Sequence, residues 1–170
     1  PSPMVSKAAR ISKEIEREDI CPMTANAMTP QDCADACAKA MWQDDSASQK
    51  LGMALGPVAP GQATMSMTVQ DWMANGHGNC HGGYIFTLAD STFAFACNSY
   101  NQRTVAQQAT VTFIAPAFVG DRLTAHGREI SRRGRGGIYD VSVTNQAGEV
   151  IAEFRGHSRT VKGTLLPQTG

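Results

Sequence analysis

Aromatic residues make up only 6% of this 170-residue chain, neither sign of charge predominates, and no apolar run approaches the thickness of a bilayer. Each shortage closes off a class of function. With 15 basic side chains against 15 acidic ones, there is no broadly basic surface for nucleic acid and no polybasic stretch for a membrane face. Any anion site must be local. A membrane-spanning helix needs roughly 18–20 apolar residues, and the N-terminus lacks the apolar core of a secretory leader, so a cytoplasmic protein is expected. The five cysteines, Cys21, Cys33, Cys37, Cys80 and Cys97, are odd in number and irregularly spaced, which fits thiols in a reducing compartment better than a disulfide framework. Cys80 adjoins His81, but no further ligands stand at finger or ribbon spacing. No metal site is expected, and Cys80 reads as a buried or half-buried thiol beside a glycine turn.

What is present suffices for one domain, with 42% hydrophobic residues to build a core. Residues 1–29 mix charge, Ser, Pro and Met without helical or strand period and are expected to form an N-terminal tail, with Met4 a candidate biological start. Thr29-Pro30-Gln31-Asp32 then supplies an N-cap, a proline at the first helical position and an acid placed to reach back. A helix is predicted over 30–44, with Cys33, Cys37, Ala40 and Met41 as its apolar stripe. From Leu51 the period becomes two: Leu51, Met53 and Leu55, then turn residues from Pro57 to Gly61, then Ala63, Met65, Met67 and Val69. That pattern predicts a hairpin. A glycine-rich crossing leads into an apolar stretch over 83–98, long enough and alanine-rich enough for a helix. Strands are predicted over 105–113, 122–131, 137–145 and 150–161. This order suggests an α+β domain, an antiparallel sheet curled around one buried helix.

Within 83–98 the one strongly acidic side chain is Asp90. Helical spacing gathers Thr87, Asp90, Ser91, Ala94 and Asn98 on a small, polar face. Such a face either meets water, as lone acids on amphipathic helices commonly do, or lines a narrow site in which partial desolvation raises the basicity of Asp90. The preceding segment favours the second. Gly76, Gly78, Gly82 and Gly83 let the backbone turn sharply and approach a ligand, and the helix start leaves amides unpartnered at the positive end of the dipole. An amide at Gly82, suited to polarising a carbonyl, and a carboxylate eight residues on form a candidate acyl-transfer pair, not necessarily within one subunit. A phosphate-binding P-loop is excluded because its lysine is missing.

Asn75, His81-Gly82-Gly83, Leu88-Ala89-Asp90 and the Phe93 to Asn98 stretch, continued by Val111 to Pro116, Gly120-Asp121, Ile138-Tyr139-Asp140 and Phe154-Arg155-Gly156, resemble the hotdog-fold acyl-CoA thioesterases of phenylacetate degradation. The resemblance runs over roughly residues 35–162. It implies a six-stranded antiparallel sheet wrapped around one long central helix, with an extra N-terminal helix, over 30–163, and a C-terminal tail over 164–170. It implies hydrolysis of acyl-CoA thioesters, aryl-acetyl ones such as phenylacetyl- or hydroxyphenylacetyl-CoA in particular. Asp90 matches the family's catalytic acid, a nucleophile or a base for water; Gly82 matches the residue whose amide polarises the thioester oxygen. Asn75 matches a side-chain amide that positions the water or the carboxylate, and His81 a residue that fixes the turn and touches the thioester end.

The same resemblance implies homodimers with a continuous sheet, in which Asn75 and Gly82 of one chain face Asp90 of the other, and a pairing of dimers into tetramers. No cofactor or metal is implied, CoA being part of the substrate. Where relatives can carry Ser or Thr on the strand after the helix, this chain has Ala106, Gln107 and Gln108, and Gln107 is the candidate substitute. Gly83 and Tyr84, with Phe86, are candidates for substrate contact. Arg132, Arg133 and Arg135 could meet CoA phosphates or simply form a solvated hairpin loop; Arg155, His157 and Arg159 share one strand face, with the same two alternatives. Phe113, Phe118 and Tyr139 are expected in core or interface, Trp42 and Trp72 as packing anchors. Two alternatives stand beside this reading: a medium- or long-chain fatty acyl-CoA thioesterase, and a non-catalytic acyl-CoA-binding module.

Overall fold

The computed structural model describes residues 28–167; nearly all of the tail expected over residues 1–29, Cys21 included, lies outside the described residues. Helix α1 (Pro30–Asp44) starts where its cap is made: Thr29 Oγ1 accepts from the Asp32 amide at 3.1 Å, and Asp32 Oδ2 accepts from the Thr29 amide at 3.0 Å. Its buried side is Cys33, Ala34, Cys37 and Ala38, so the stripe turns towards the alanines and leaves Ala40 and Met41 half-buried. A short helix α2 (Ser46–Lys50) follows, unforeseen in the sequence. It leads into the hairpin β1 (Ala54–Ala59) and β2 (Gln62–Thr68). Pro57, expected in the turn, instead lies within β1, where the register shifts between Leu55 and Val58. A proline is tolerated there because β1 is an edge strand.

Helix α3 (Gly82–Cys97) and strands β3 (Thr104–Phe113), β4 (Arg122–Arg133), β5 (Gly136–Thr144) and β6 (Val150–Thr160) complete the chain. The strand order is β1-β2-β4-β5-β6-β3, and every neighbouring pair is antiparallel. The alternation read in β2 is real: Ala63, Met65 and Met67 point to the helix side and are buried. There they join Ile85, Leu88, Ala89, Phe93 and Ala96 of α3 in one core with Leu123, Tyr139, Val141 and Phe154. Each of the Leu, Ile, Val, Met and Phe side chains among them contributes about 1.5–3 kcal/mol on burial. The Phe93 ring packs 5.5 Å from Tyr139 and 5.8 Å from Phe154. Beneath it Gly156 must stay small, since a Cβ there would come within 2.9 Å of the ring.

The two sheet edges differ. The β1 edge carries Pro57 and the register shift, and the Gln31 side chain of α1 donates to the Val58 carbonyl at 2.7 Å. The β3 edge runs ten residues, mostly exposed, and Val105, Phe113, Ile114, Phe118 and Val119 stand exposed along it and beyond its end. Tyr139 is core, while Phe113 and Phe118, expected in core or interface, are exposed on the single chain. Trp42 packs against Phe95 at 6.1 Å, but Trp72 is 55% exposed and anchors no core. Of the expected C-terminal tail, residues 164–166 are tied down: Asn101 Oδ1 accepts from the Leu165 and Leu166 amides at 3.1 and 2.9 Å. No helix among the described residues is long and apolar enough to cross a membrane.

One buried amide couples α3 to the open edge strand. Asn98 Nδ2 donates to the Ala94 and Thr104 carbonyls at 3.0 and 2.9 Å, and its Oδ1 accepts from the Thr104 amide at 2.9 Å. Asn98→Ala would strand these groups and should cost about 2–4 kcal/mol. Urea unfolding checks this, and an unmoved midpoint would show that the coupling is dispensable.

Candidate active site

The loop between β2 and α3 is held at both strands of its neck. Ala74 pairs with Cys80 in a single bridge; the Cys80 amide donates to Ala117 O, and the His81 amide to Met73 O, each at 2.8 Å. Within the neck, the Gly78 amide donates to Asn75 O at 3.0 Å, with Gly78 at φ 79°, a left-handed conformation that favours glycine. Asn75 Oδ1 accepts from the amides of His77 (2.8 Å) and Asn79 (3.3 Å). Its oxygen is thus committed to the turn, and only Nδ2, a donor, remains for a ligand.

At the head of α3, His81 is the N-cap: Nδ1 accepts from the Gly83 amide at 2.9 Å and its carbonyl accepts from the Tyr84 amide at 2.9 Å. An accepting Nδ1 places the ring proton on Nε2. The amides of Cys80, His81, Gly83 and Tyr84 therefore all have acceptors, and that of Gly82 has none among the described residues. Gly82 shares a cleft of about 420 Å³ with Asn75, Cys80, Ile85, Phe113 and Pro116. A Cβ on Gly82 would come within 2.8 Å of the Phe113 ring, so glycine keeps the amide approachable. Burial, with Asp121 nearby, pushes the Cys80 thiol up, and the Cys97 thiol is pushed up to about 12, mainly by burial. Both therefore stay protonated and poorly nucleophilic.

Asp90 does not line this cleft. Eight residues beyond Gly82, it is about 12 Å further along the helix axis. It is half-buried, and it makes no hydrogen bond or ion pair with a described residue. Burial raises its carboxyl above the ordinary aspartate value. The rest of its face is spoken for: Thr87 Oγ1 donates to Gly83 O at 2.7 Å, Ser91 Oγ lies 2.9 Å from Ser48 Oγ, and Asn98 serves the β3 junction. At the head of this face lies a second pocket, also about 420 Å³, lined by Leu51, Trp72, His81, Gly83, Tyr84 and Thr87. Phe86 instead packs on Phe154 at 5.5 Å.

The three loop arginines do not cluster. Alternate side chains of a strand face opposite ways, so Arg132 turns inward, 3.9 Å from the Tyr100 ring centroid and 3.6 Å from Glu129. Arg133 lines a groove of about 320 Å³ with Gln107, Gln108 and His157 on the far side of the sheet, and Arg135 Nε donates to Thr160 O at 3.0 Å. Gln107 sits where β3 shifts register between Ala106 and Gln108, away from the Asn75 and Gly82 cleft. Arg155 is bound to Asp140 by two hydrogen bonds of 2.6 and 2.8 Å. Among the described residues no three His, Cys, Asp or Glu side chains converge as a metal site would require.

Comparison with known proteins gives these features a context. Residues 77–152 match the family model for the thioesterase superfamily. The acyl-coenzyme A thioesterase PaaI of Escherichia coli (strain K12) is 41% identical over 128 residues, 75% of this chain and 91% of that protein. The solved structure of the E. coli PaaI protein from the phenylacetic acid degradation operon superposes with a TM-score of 0.79 at 39% identity, covering 80% of this chain and 99% of that one. A Streptococcus mutans UA159 protein solved with acetyl CoA bound has a TM-score of 0.64 at 26% identity, over 66% of this chain and 90% of that one. The sheet wrapped around α3 is the hotdog fold.

The raised carboxyl of Asp90 has a consequence for stability. Folding disfavours its charged form, so the folded chain holds that proton to higher pH than the unfolded chain, and stability is lost as pH rises through the interval. Asp90→Asn should therefore melt above the parent at pH 7. The gap should close as pH falls towards the unfolded aspartate value of about 3.9, which melting curves across that range would test.

Proposed function

Since the chain belongs to the thioesterase superfamily, as a hydrolase of acyl-CoA thioesters, we propose that its substrates carry aryl-acetyl groups, phenylacetyl or hydroxyphenylacetyl, and that Asp90 acts on them across a dimer interface. The observation that carries this reading is the separation of two unspent groups. The Gly82 amide and the Asp90 carboxylate lie about 12 Å apart along the α3 axis, whereas both must approach one thioester carbonyl to within about 3 Å. A second chain resolves the mismatch by bringing its own Asp90 to the cleft of the first. The open β3 edge, with its exposed apolar residues, is where that chain would add, because the β1 edge is blunted. Pairing of two such dimers belongs to the same proposal.

In this arrangement the thioester oxygen accepts from the Gly82 amide at the positive end of α3, which stabilises the charge that develops there. Asn75 contributes its free Nδ2 donor to the water or the facing carboxylate, and His81 holds the turn. Asp90 then has two routes. As a base it takes a proton from water, the hydroxide adds to the carbonyl, and the leaving CoA sulfur recovers the proton. As a nucleophile it forms a mixed anhydride with release of CoA, which water then hydrolyses. A carboxyl raised by burial serves the first route well. Of the three loop arginines, Arg133 and Arg135, exposed on their turn, are the ones left for CoA phosphates. The chemistry needs no metal or cofactor, and the buried thiols of Cys80 and Cys97 suit a reducing, cytoplasmic setting. The aryl-acetyl preference is supported by the 41% identity to PaaI.

Asp90→Asn should lower kcat by about 10²–10⁴-fold while CoA binding is retained; unchanged turnover would remove Asp90 from its role. Mixing Asp90→Asn chains with Asn75→Ala chains, each inactive alone, should restore about a quarter of parental activity, because half of random dimers are mixed and each holds one intact site. Sites confined to single chains would give no recovery. Thiol release from phenylacetyl-CoA should exceed that from medium- and long-chain fatty acyl-CoA, and the reverse order would assign the fatty acyl class.

A further inference from the structure

We infer that Trp72 holds the aryl ring of the substrate, in the pocket it walls with Tyr84 beside the Asp90 face of α3. This rests on the aryl-acetyl-CoA reading above and adds to it the residue that selects the ring. Trp72 is 55% exposed, and it is held in that exposed position. It lies in the single turn of 3-10 helix Asp71–Met73, whose Met73 side chain is fully buried, and its amide donates to Asp71 Oδ1 at 2.7 Å. Its ring meets that of Tyr84 edge to face, at 5.4 Å and 90°, and Tyr84 in turn meets His81 at 6.2 Å and 73°. An indole held more than half exposed by a tight turn leaves apolar surface in water, at a cost a bound ring would remove.

The position of the pocket suits an acyl group. Gly83, Thr87 and Asp90 are spaced i, i+4 and i+7, so the pocket floor and the carboxylate share one helix face. Asp90 lies one turn beyond Thr87, about 4.5 Å along the axis. In an aryl-acetyl thioester one methylene separates ring and carbonyl, so a ring seated over Thr87 leaves its carbonyl within reach of Asp90. The floor is not polar in effect, because the Thr87 hydroxyl is spent on Gly83 O. Leu51 closes one side, and the open walls are aromatic. Aromatic walls reward a ring through edge-to-face or offset stacking beyond the area it buries, while a straight alkyl chain gains from area alone.

The test is the ratio of kcat/KM for phenylacetyl-CoA to that for hexanoyl-CoA in the parent, Trp72→Leu and Trp72→Phe. Trp72→Leu should lose on the order of tenfold on phenylacetyl-CoA and less than about twofold on hexanoyl-CoA, and Trp72→Phe should recover most of the loss. Since the chain holds two tryptophans, phenylacetate should also quench part of the fluorescence of the parent, and that component should vanish in Trp72→Phe. Equal losses on both thioesters, or quenching that survives Trp72→Phe, would overturn the inference while leaving the aryl-acetyl reading intact. A parent that hydrolyses hexanoyl-CoA but not phenylacetyl-CoA would overturn both together. Trp72 is exposed, so melting curves should confirm that the variants fold.

Discussion

The hydrogen bond from the Gly83 amide to His81 Nδ1 decides what the head of α3 can do. Five successive amides, Cys80 to Tyr84, surround this point, and the fold finds an acceptor for each of them except Gly82. Had the cap been a serine or an aspartate reaching the second or third amide of the helix, as caps usually do, an amide would equally have been left over. The imidazole differs in using its unprotonated nitrogen, so its remaining N–H points outward as a donor.

Around that head, several local costs collect. Asp90 is carried half-buried without a partner among the described residues, Trp72 stands in water, and Gly82 gives up a side chain so that Phe113 can lie against its backbone. None of these improves folding. They collect on and around the N-terminal half of α3, while Leu88, Phe93 and Ala96 of the same helix are fully buried without such compromise. Breaches of local preference gathered in one place are what a site shaped for something other than stability leaves behind.

Much of this layout was legible in the chain because the signals are periodic or local. Thr29 to Asp32 spells out a cap, the Met65 and Met67 alternation spells out a half-buried strand, and the spacing of Thr87, Asp90 and Ala94 defines a face before any coordinates exist. What was not legible depends on partners distant in sequence. Helix α2 is five residues long and owes its start to the Asp45 carboxylate on the Ser48 amide and its seat to Ser91. Pro57 reads as a turn unless one knows that its strand is at an edge. Gln107 lies at a shift of register in β3, where one unpaired residue changes which way the chain presents its side chains. The three arginines looked like one cluster because they are neighbours in sequence, but the strand pleat divides them and Tyr100 and Glu129 claim Arg132. Trp72 could have been noticed from its setting, a lone large ring between Asp71 and Met73 at the approach to a glycine-rich crossing.

The difference between the two borders of the sheet limits how far assembly can go. A border that carries a proline, a register shift and a side chain already bonded to its backbone offers no template for a further strand. The proposed edge pairing therefore has one side open to it. In the proposed dimer the six strands would become twelve with both outer borders of the closed kind, so strand-by-strand growth would end there rather than run on into a fibre.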